Sequence, residues 1–119
     1  MISLRTEEMR AAYKKYVTDN PQGTTCPLCD KKPLRIFTHW KITVNDFPYD
    51  TIASTHHMIM PLRHVTEGEL NEEERAEMID IKNQFINPHY DNIIESTPQN
   101  KSVPAHFHLH LIVGKTKSR

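Results

Sequence analysis

His106-Phe107-His108-Leu109-His110-Leu111-Ile112-Val113, near the C-terminal end of the 119-residue chain, is the stretch whose reading decides the fold. Polar and apolar residues alternate along it, the pattern of a half-buried β-strand. Successive side chains on a strand point to opposite faces, so His106, His108 and His110 share one face, roughly 7 Å from one to the next. Phe107, Leu109, Leu111 and Val113 take the other face and anchor the strand in a core. A polar outer face that happens to be histidine is the plainer reading. Three in register, from a chain holding 8, argue against it. Imidazole titrates near neutrality, binds metals and serves as a nucleophile.

Outward from this run, Asn92 to Glu95 reads as a short strand and Ser96 to Lys101 as a polar loop. Thr66-Glu67-Gly68-Glu69 fits a capping box, and the helix it opens is predicted to reach Ile86 and stop at Asn87-Pro88. Leu70, Met78, Ile81 and Phe85 lie on one side of it. Glu72, Glu73, Glu74 and Glu77 read as a solvated face that suits the positive end of the helix dipole. Thr55 to Met60 reads as a strand closed by Pro61, and Asn45-Asp46-Phe47-Pro48 as a turn. Leu34 to Val44 reads as one bent strand or two short antiparallel ones. Residues 20–33 form a loop punctuated by Pro21, Gly23, Pro27 and Pro33. A first helix is predicted over Thr6–Thr18. Its stripe of Met9, Ala12, Tyr13, Tyr16 and Val17 reads as packing surface, and Asp19-Asn20-Pro21 ends it. The connections are mostly too brief for parallel crossovers. The expected fold is α+β: an antiparallel sheet of about five strands with two helices packed on one side. A single domain is expected over residues 1–119, with an N-terminal helix (1–20), a Cys loop (21–33), a sheet and helix core (34–113) and a basic tail (114–119).

Composition excludes several function classes. The chain carries 15 basic and 15 acidic residues, so no phosphate-tracking surface for nucleic acid is expected. No apolar run approaches the ~20 residues of a membrane span. Arg5, Glu7, Glu8 and Arg10 stand where a signal peptide would need an apolar stretch, so the expected address is the cytoplasm. In such a reducing compartment Cys26-Pro27-Leu28-Cys29 points to a metal site or redox chemistry more than to a structural disulfide. The pair follows a Pro/Gly loop and precedes Lys31-Lys32-Pro33, which suits a metal knuckle better than a redox helix start. With only two cysteines, a structural zinc would need histidines to complete its four ligands. Unligated cysteines are the third reading.

Histidine is also the only well-supplied reactive group. No Gly-x-Ser-x-Gly elbow and no phosphate-cradling glycine loop occur among the chain's three glycines. A neutral imidazole attacks phosphorus and forms a phosphoramidate that water later breaks. Of His56 and His57, neighbours on a strand, only one can join a given site.

The chain resembles the histidine triad (HIT) superfamily of nucleotide hydrolases and transferases. Its signature, His-φ-His-φ-His-φ-φ with φ apolar, is matched at every position by His106 to Ile112. Upstream, Asn45-Asp46-Phe47-Pro48 is similar to the family's ribose-contacting turn. Thr55-His56-His57-Met58-Ile59-Met60-Pro61-Leu62-Arg63-His64 is similar to its His-φ-φ-φ-φ-Pro-x-x-His strand, and many members carry an N-terminal Cys-x-x-Cys. The matches span roughly residues 26 to 113.

The resemblance implies a nucleophile at His108, attacking the α-phosphorus of a nucleotide to form a nucleotidyl-histidine. His110 would hydrogen-bond the phosphate or leaving group, and His56 would stand near the same phosphate. Asn45 would bond the ribose, with Ile42, Val44 or Phe47 walling the base. Ser102 would donate to the phosphate or leaving group, with Asn100 and Gln99 behind it. A structural zinc would be held by Cys26, Cys29, His64 and His106. The closing histidine, where the transferase branch tends to have glutamine, favours hydrolysis. A homodimer, formed through the helix over residues 67 to 86, is also implied.

The chain departs from the pattern in the longer stretch Tyr49-Asp50-Thr51-Ile52-Ala53-Ser54, in Thr55 where glycine is usual, and in one extra residue before His106. Substrates would be dinucleoside polyphosphates, nucleotidylated amines or nucleotide-linked sugars. The rival readings are a dimeric nucleotide-binding module with little turnover, favoured by the altered 49–54 loop, and a nucleotidyl transferase. A metal site built on the triad itself leaves the cysteines unexplained.

Overall fold

The computed structural model describes residues 3–20, 26–99 and 103–116. Strands β1 (Arg35–Ile36), β2 (Trp40–Val44), β3 (Ala53–Pro61), β4 (Asn92–Ile94) and β5 (Leu109–Gly114) form one antiparallel sheet in the order β1-β2-β3-β5-β4. The 34–44 segment is thus two short strands. The Phe37 amide donates to the Trp40 carbonyl across a tight turn, and the Leu34 amide to the Ile42 carbonyl. The α+β architecture read from the strand and helix pattern is the one observed.

The two faces of the sheet divide the work. On one face Trp40, Ile42, Ile59, Phe107 and Leu111 pack against Ile81 and Ile86, with Met78, Phe85, Tyr90 and Ile93 at the margin. Each fully buried side chain of this size is worth about 1.5–3 kcal/mol, so this core holds the sheet and the second helical segment together. Trp40 Nε1 donates to the Glu74 carbonyl at 2.9 Å.

That segment is not the single helix expected over residues 67–86. Glu67–Glu69 is a 3₁₀ turn, α2 runs over Glu72–Ile81, Lys82–Ile86 is a π turn, and α3 covers Asn87–His89. Two capping devices in series cause the break. The Glu69 carboxylate accepts from the Thr66 amide, but Leu70 then turns extended, and Asn71 opens α2 with a reciprocal box to Glu74. Nor does Asn87-Pro88 stop the helix. A proline ring clashes with the carbonyl four residues back, and the widened π turn ahead of Pro88 relieves the clash, so the coil continues to His89. The acidic face also needs correcting. Glu74 is buried, and its carboxylate takes two bonds from Arg63, at 3.0 and 2.7 Å. Glu77 caps the β1–β2 turn through the Thr38 and His39 amides.

The expectation that both helices share one side fails. α1 (Glu7–Asp19) is associated with the opposite face of the sheet and buries none of its residues. Its stripe is therefore not core packing. Tyr13 and Tyr16 meet the rim of that face, edge-on and tilted against Phe47. What docks α1 is the 46–51 loop. Asp50 accepts from the Thr6 amide and hydroxyl at 2.8 and 2.7 Å, and the Leu4 carbonyl accepts from the Thr51 amide. No helix among the described residues is long and apolar enough to cross a membrane.

Candidate phosphoryl-transfer and metal site

The histidine run is shorter as a strand than its alternation predicts. β5 begins at Leu109, because the Phe107 amide donates to the Val65 carbonyl and leaves the ladder. The alternation survives as geometry. His106, His108 and His110 are all buried on the α1 side of the sheet, at 0%, 3% and 5% exposure, so they are interior groups and not a wetted face. β3 pairs His56 with Ile112 and Met58 with His110, which puts His56 on that same face. His57 takes the other face and bonds the Tyr90 hydroxyl at 2.6 Å.

His106 turns toward the cysteine turn. Cys26, Cys29, His64 and His106 present one donor atom each, all within 4.8 Å of one another, and can hold a metal ion. His106 Nε2 donates to the Pro61 carbonyl at 2.9 Å, which leaves its Nδ1 lone pair facing Cys26 Sγ at 3.5 Å and Cys29 Sγ at 3.4 Å. His64 Nδ1 is 3.4 Å from Cys29 Sγ. A tetrahedral ion with metal–sulfur and metal–nitrogen bonds of about 2.3 and 2.1 Å separates S and N by about 3.6 Å. The donor set fits such an ion, down to the outer hydrogen bond that sets the tautomer of His106. The turn is anchored independently. Leu28 packs on Met58 and Met60, and buried Lys41 Nζ donates to the Cys29 and Lys31 carbonyls.

His108 and His110 line a cavity of about 800 Å³ with Asn45, Phe47, Tyr49 and Arg5 on its walls. Val44 reaches its edge, but Ile42 is locked in the core on the opposite face and cannot wall a base there. His108 Nδ1 donates to the His106 carbonyl at 2.9 Å, so in the neutral ring the lone pair is on Nε2. Asn45 Oδ1 accepts from the Phe47 amide at 2.8 Å, an Asx turn that leaves Nδ2 facing His56 Nε2 at 3.4 Å. Ser102, Asn100 and Lys101 lie outside the described residues. Gln99 is exposed and is not on the cavity wall.

Two residues that the sequence reading gave no role complete the site. Tyr49 belongs to the longer 49–54 loop. Its ring centroid is 4.4 Å from that of His56 and 4.9 Å from that of His110. Arg5 lays its guanidinium over Tyr13 and Tyr49 at 4.8 and 4.9 Å while its Nε donates to the Phe47 carbonyl. No local pattern singles out a lone arginine ahead of a helix. For Tyr49 the only signal was the unusual loop length.

Solved structures place this architecture. No protein-family model matches the chain, and no curated protein matches its sequence. The crystal structure of a HIT family hydrolase from Legionella pneumophila Philadelphia 1 matches with a TM-score of 0.55 at 15% identity, covering 80% of this chain and 96% of that one. A HIT family hydrolase from Clostridium thermocellum matches with a TM-score of 0.50 at 17% identity, covering 91% and 92%. The chain has the HIT fold. The resemblance read from the histidine run therefore holds at the level of the fold, although the identity is too low for sequence comparison to carry it.

Within this HIT-like site His56 and His110 are held neutral. Burial, reinforced by the Arg5 charge, pushes His56 down to about 4. Burial and the neighbouring His56 push His110 down to about 3. In the unfolded chain both return to about 6.5. The unfolded state therefore binds more protons below that pH, so stability is full above about pH 6.5 and is lost as pH falls toward 4. In urea denaturation the wild-type midpoint drops between pH 7 and pH 5, and His56→Gln makes that drop shallower. An equal drop in both proteins contradicts the assignment.

Proposed function

We infer that the protein is a nucleotide hydrolase of HIT type that cleaves at a nucleoside α-phosphate through His108. The observation that supports this best is the pinned Nδ1–H of His108, which puts the reactive lone pair of a neutral imidazole on Nε2, in a ring that lines the cavity. Nε2 attacks the α-phosphorus, the bond to the leaving group breaks, and the leaving group departs with its electron pair. Water then cleaves the P–N bond of the nucleotidyl-histidine, returning His108 and releasing the mononucleotide. His110 and His56 stand beside the phosphoryl group, and the Arg5 guanidinium offers positive charge to its oxygens. Asn45 takes the ribose, and Phe47, backed by Tyr13 and Tyr16, stacks the base, with Val44 at the edge. Ser102 donates to the phosphate or leaving group.

The metal reading is zinc. Two thiolates and two imidazoles at tetrahedral spacing suit it, and held this way it supports the site without taking part in the chemistry. A homodimer is proposed as well. Met78, Ile81 and Phe85 are committed to the core, so Ile79, 62% exposed on α2, is the apolar group a second copy would cover.

A panel of diadenosine polyphosphates, adenosine 5′-phosphoramidate and nucleotide sugars, scored by released mononucleotide, tests the reading. Turnover of at least one class is expected. Nucleotide binding with no product from any of them would favour the binding module, for which the altered 49–54 loop speaks.

A further inference from the structure

The histidine cluster is closed by a residue of the longer loop. The Tyr49 amide donates to His56 Nδ1 at 2.9 Å, and a backbone N–H can only donate. His56 must therefore carry its proton on Nε2, which donates to His110 Nδ1 at 2.8 Å. His110 in turn carries its proton on Nε2, which faces the Tyr49 hydroxyl at 3.2 Å. The chain of bonds begins and ends on Tyr49, and both ring nitrogens of His110 are occupied. The phenol oxygen accepts from His110, so its own O–H is left to donate, and among the described residues no group accepts it. Tyr49 lines the cavity with His108.

The fold goes to some length to place this ring. Asp50, Ile52 and Ala53 amides fold the loop back on Pro48 and Tyr49 carbonyls. A bulge in β3 around Ser54 breaks the register with β5 and turns Ala53 to the histidine face, where it packs with Tyr49 and Ile112.

We propose that the Tyr49 hydroxyl is a further catalytic group of this site, donating a hydrogen bond to a non-bridging oxygen of the phosphoryl group that His108 attacks. The assignment rests on the hydrolase reading above. It makes Tyr49, and not His110, the group of the cluster that meets the substrate, with His56 and His110 as positioning residues that orient the phenol. No proton is transferred. The Tyr49 amide cannot resupply a proton to His56 Nδ1, so a relay through His110 is closed at that end, and the phenol acts as a fixed dipole on oxygens that gain charge in the transition state.

The test compares wild type with Tyr49→Phe, which keeps the ring packing, on the p-nitrophenyl ester of AMP and on the two α-phosphorothioate diastereomers of that ester. Sulfur accepts hydrogen bonds poorly, so wild type should turn over one diastereomer at least about tenfold more slowly than the other. In Tyr49→Phe, kcat on the oxygen ester should fall by about 10²-fold with KM little changed, and the diastereomer preference should shrink to a few-fold. AMP affinity and melting temperature, unchanged in the variant, show that the fold is intact. An active wild type whose diastereomer preference survives in Tyr49→Phe, or a variant that loses rate equally on all three esters, overturns the assignment alone. A wild type that releases no p-nitrophenol overturns the hydrolase reading and this assignment with it.

Discussion

His108→Ala is expected to reduce nucleotide hydrolysis by on the order of 10⁴-fold or more, with mononucleotide affinity and metal content unchanged. The size follows from what is removed. Without Nε2 there is no covalent intermediate, and only binding and electrostatic stabilisation of direct attack by water are left; removing a nucleophile elsewhere costs up to about 10⁶-fold. The clean separation from binding follows from the geometry. His108 Nδ1 bonds a backbone carbonyl, and its ring stands edge-on to His110 at 5.3 Å between centroids. The cavity walls at Asn45, Phe47 and Arg5 are held by their own hydrogen bonds and stacking contacts. Steady-state kinetics with calorimetric binding of mononucleotide checks both halves. A second check is the adduct itself: wild type quenched during turnover should yield an acid-labile nucleotidyl group on His108, absent from the variant. A variant that keeps its rate would remove His108 from the mechanism.

Loss of the metal should have the second largest effect, and on stability first. Cys26→Ser is expected to lower the melting temperature by at least about 10 °C, which for a domain of this size corresponds to roughly 2–3 kcal/mol. Wild type should hold one zinc per chain by elemental analysis, and the variant substantially less. The ion would tie three separate segments: the turn carrying Cys26 and Cys29, the end of β3 before His64, and the approach to β5 at His106. Among the described residues, Leu28, the Lys41 clamp and the Lys31 bonds to Val44 and Asp46 also hold the cysteine turn. Turnover per folded molecule should fall less than stability, because His106 touches the chemistry only through the carbonyl that orients His108. Metal-free wild type with an unchanged melting temperature would contradict the structural role.

The element types were legible because they rest on local rules. Alternation marked the histidine strand, the Thr55–Met60 strand and their facing, and spacing marked the cysteine pair. The boundaries that failed were those decided by non-local partners. Phe107 bonds Val65 and so leaves the strand. Leu70 breaks the second helix because two caps, at Thr66 and Asn71, compete for the same stretch. Glu74 reads as one of four surface acids until Arg63 and Trp40 arrive from elsewhere in the chain.

The histidine-rich face and its likeness to the HIT family follow from sequence alone, because side-chain direction on a strand is set by period two. What each histidine does was decided only by the tertiary structure. A tautomer is set by the atom across the other ring nitrogen, and those atoms belong to distant residues: Pro61 for His106, the Tyr49 amide for His56, and His56 with Tyr49 for His110. The same holds for Arg5 and Tyr49, which sit far apart in sequence and meet over one cavity only because the 46–53 loop docks α1 onto the sheet's histidine face.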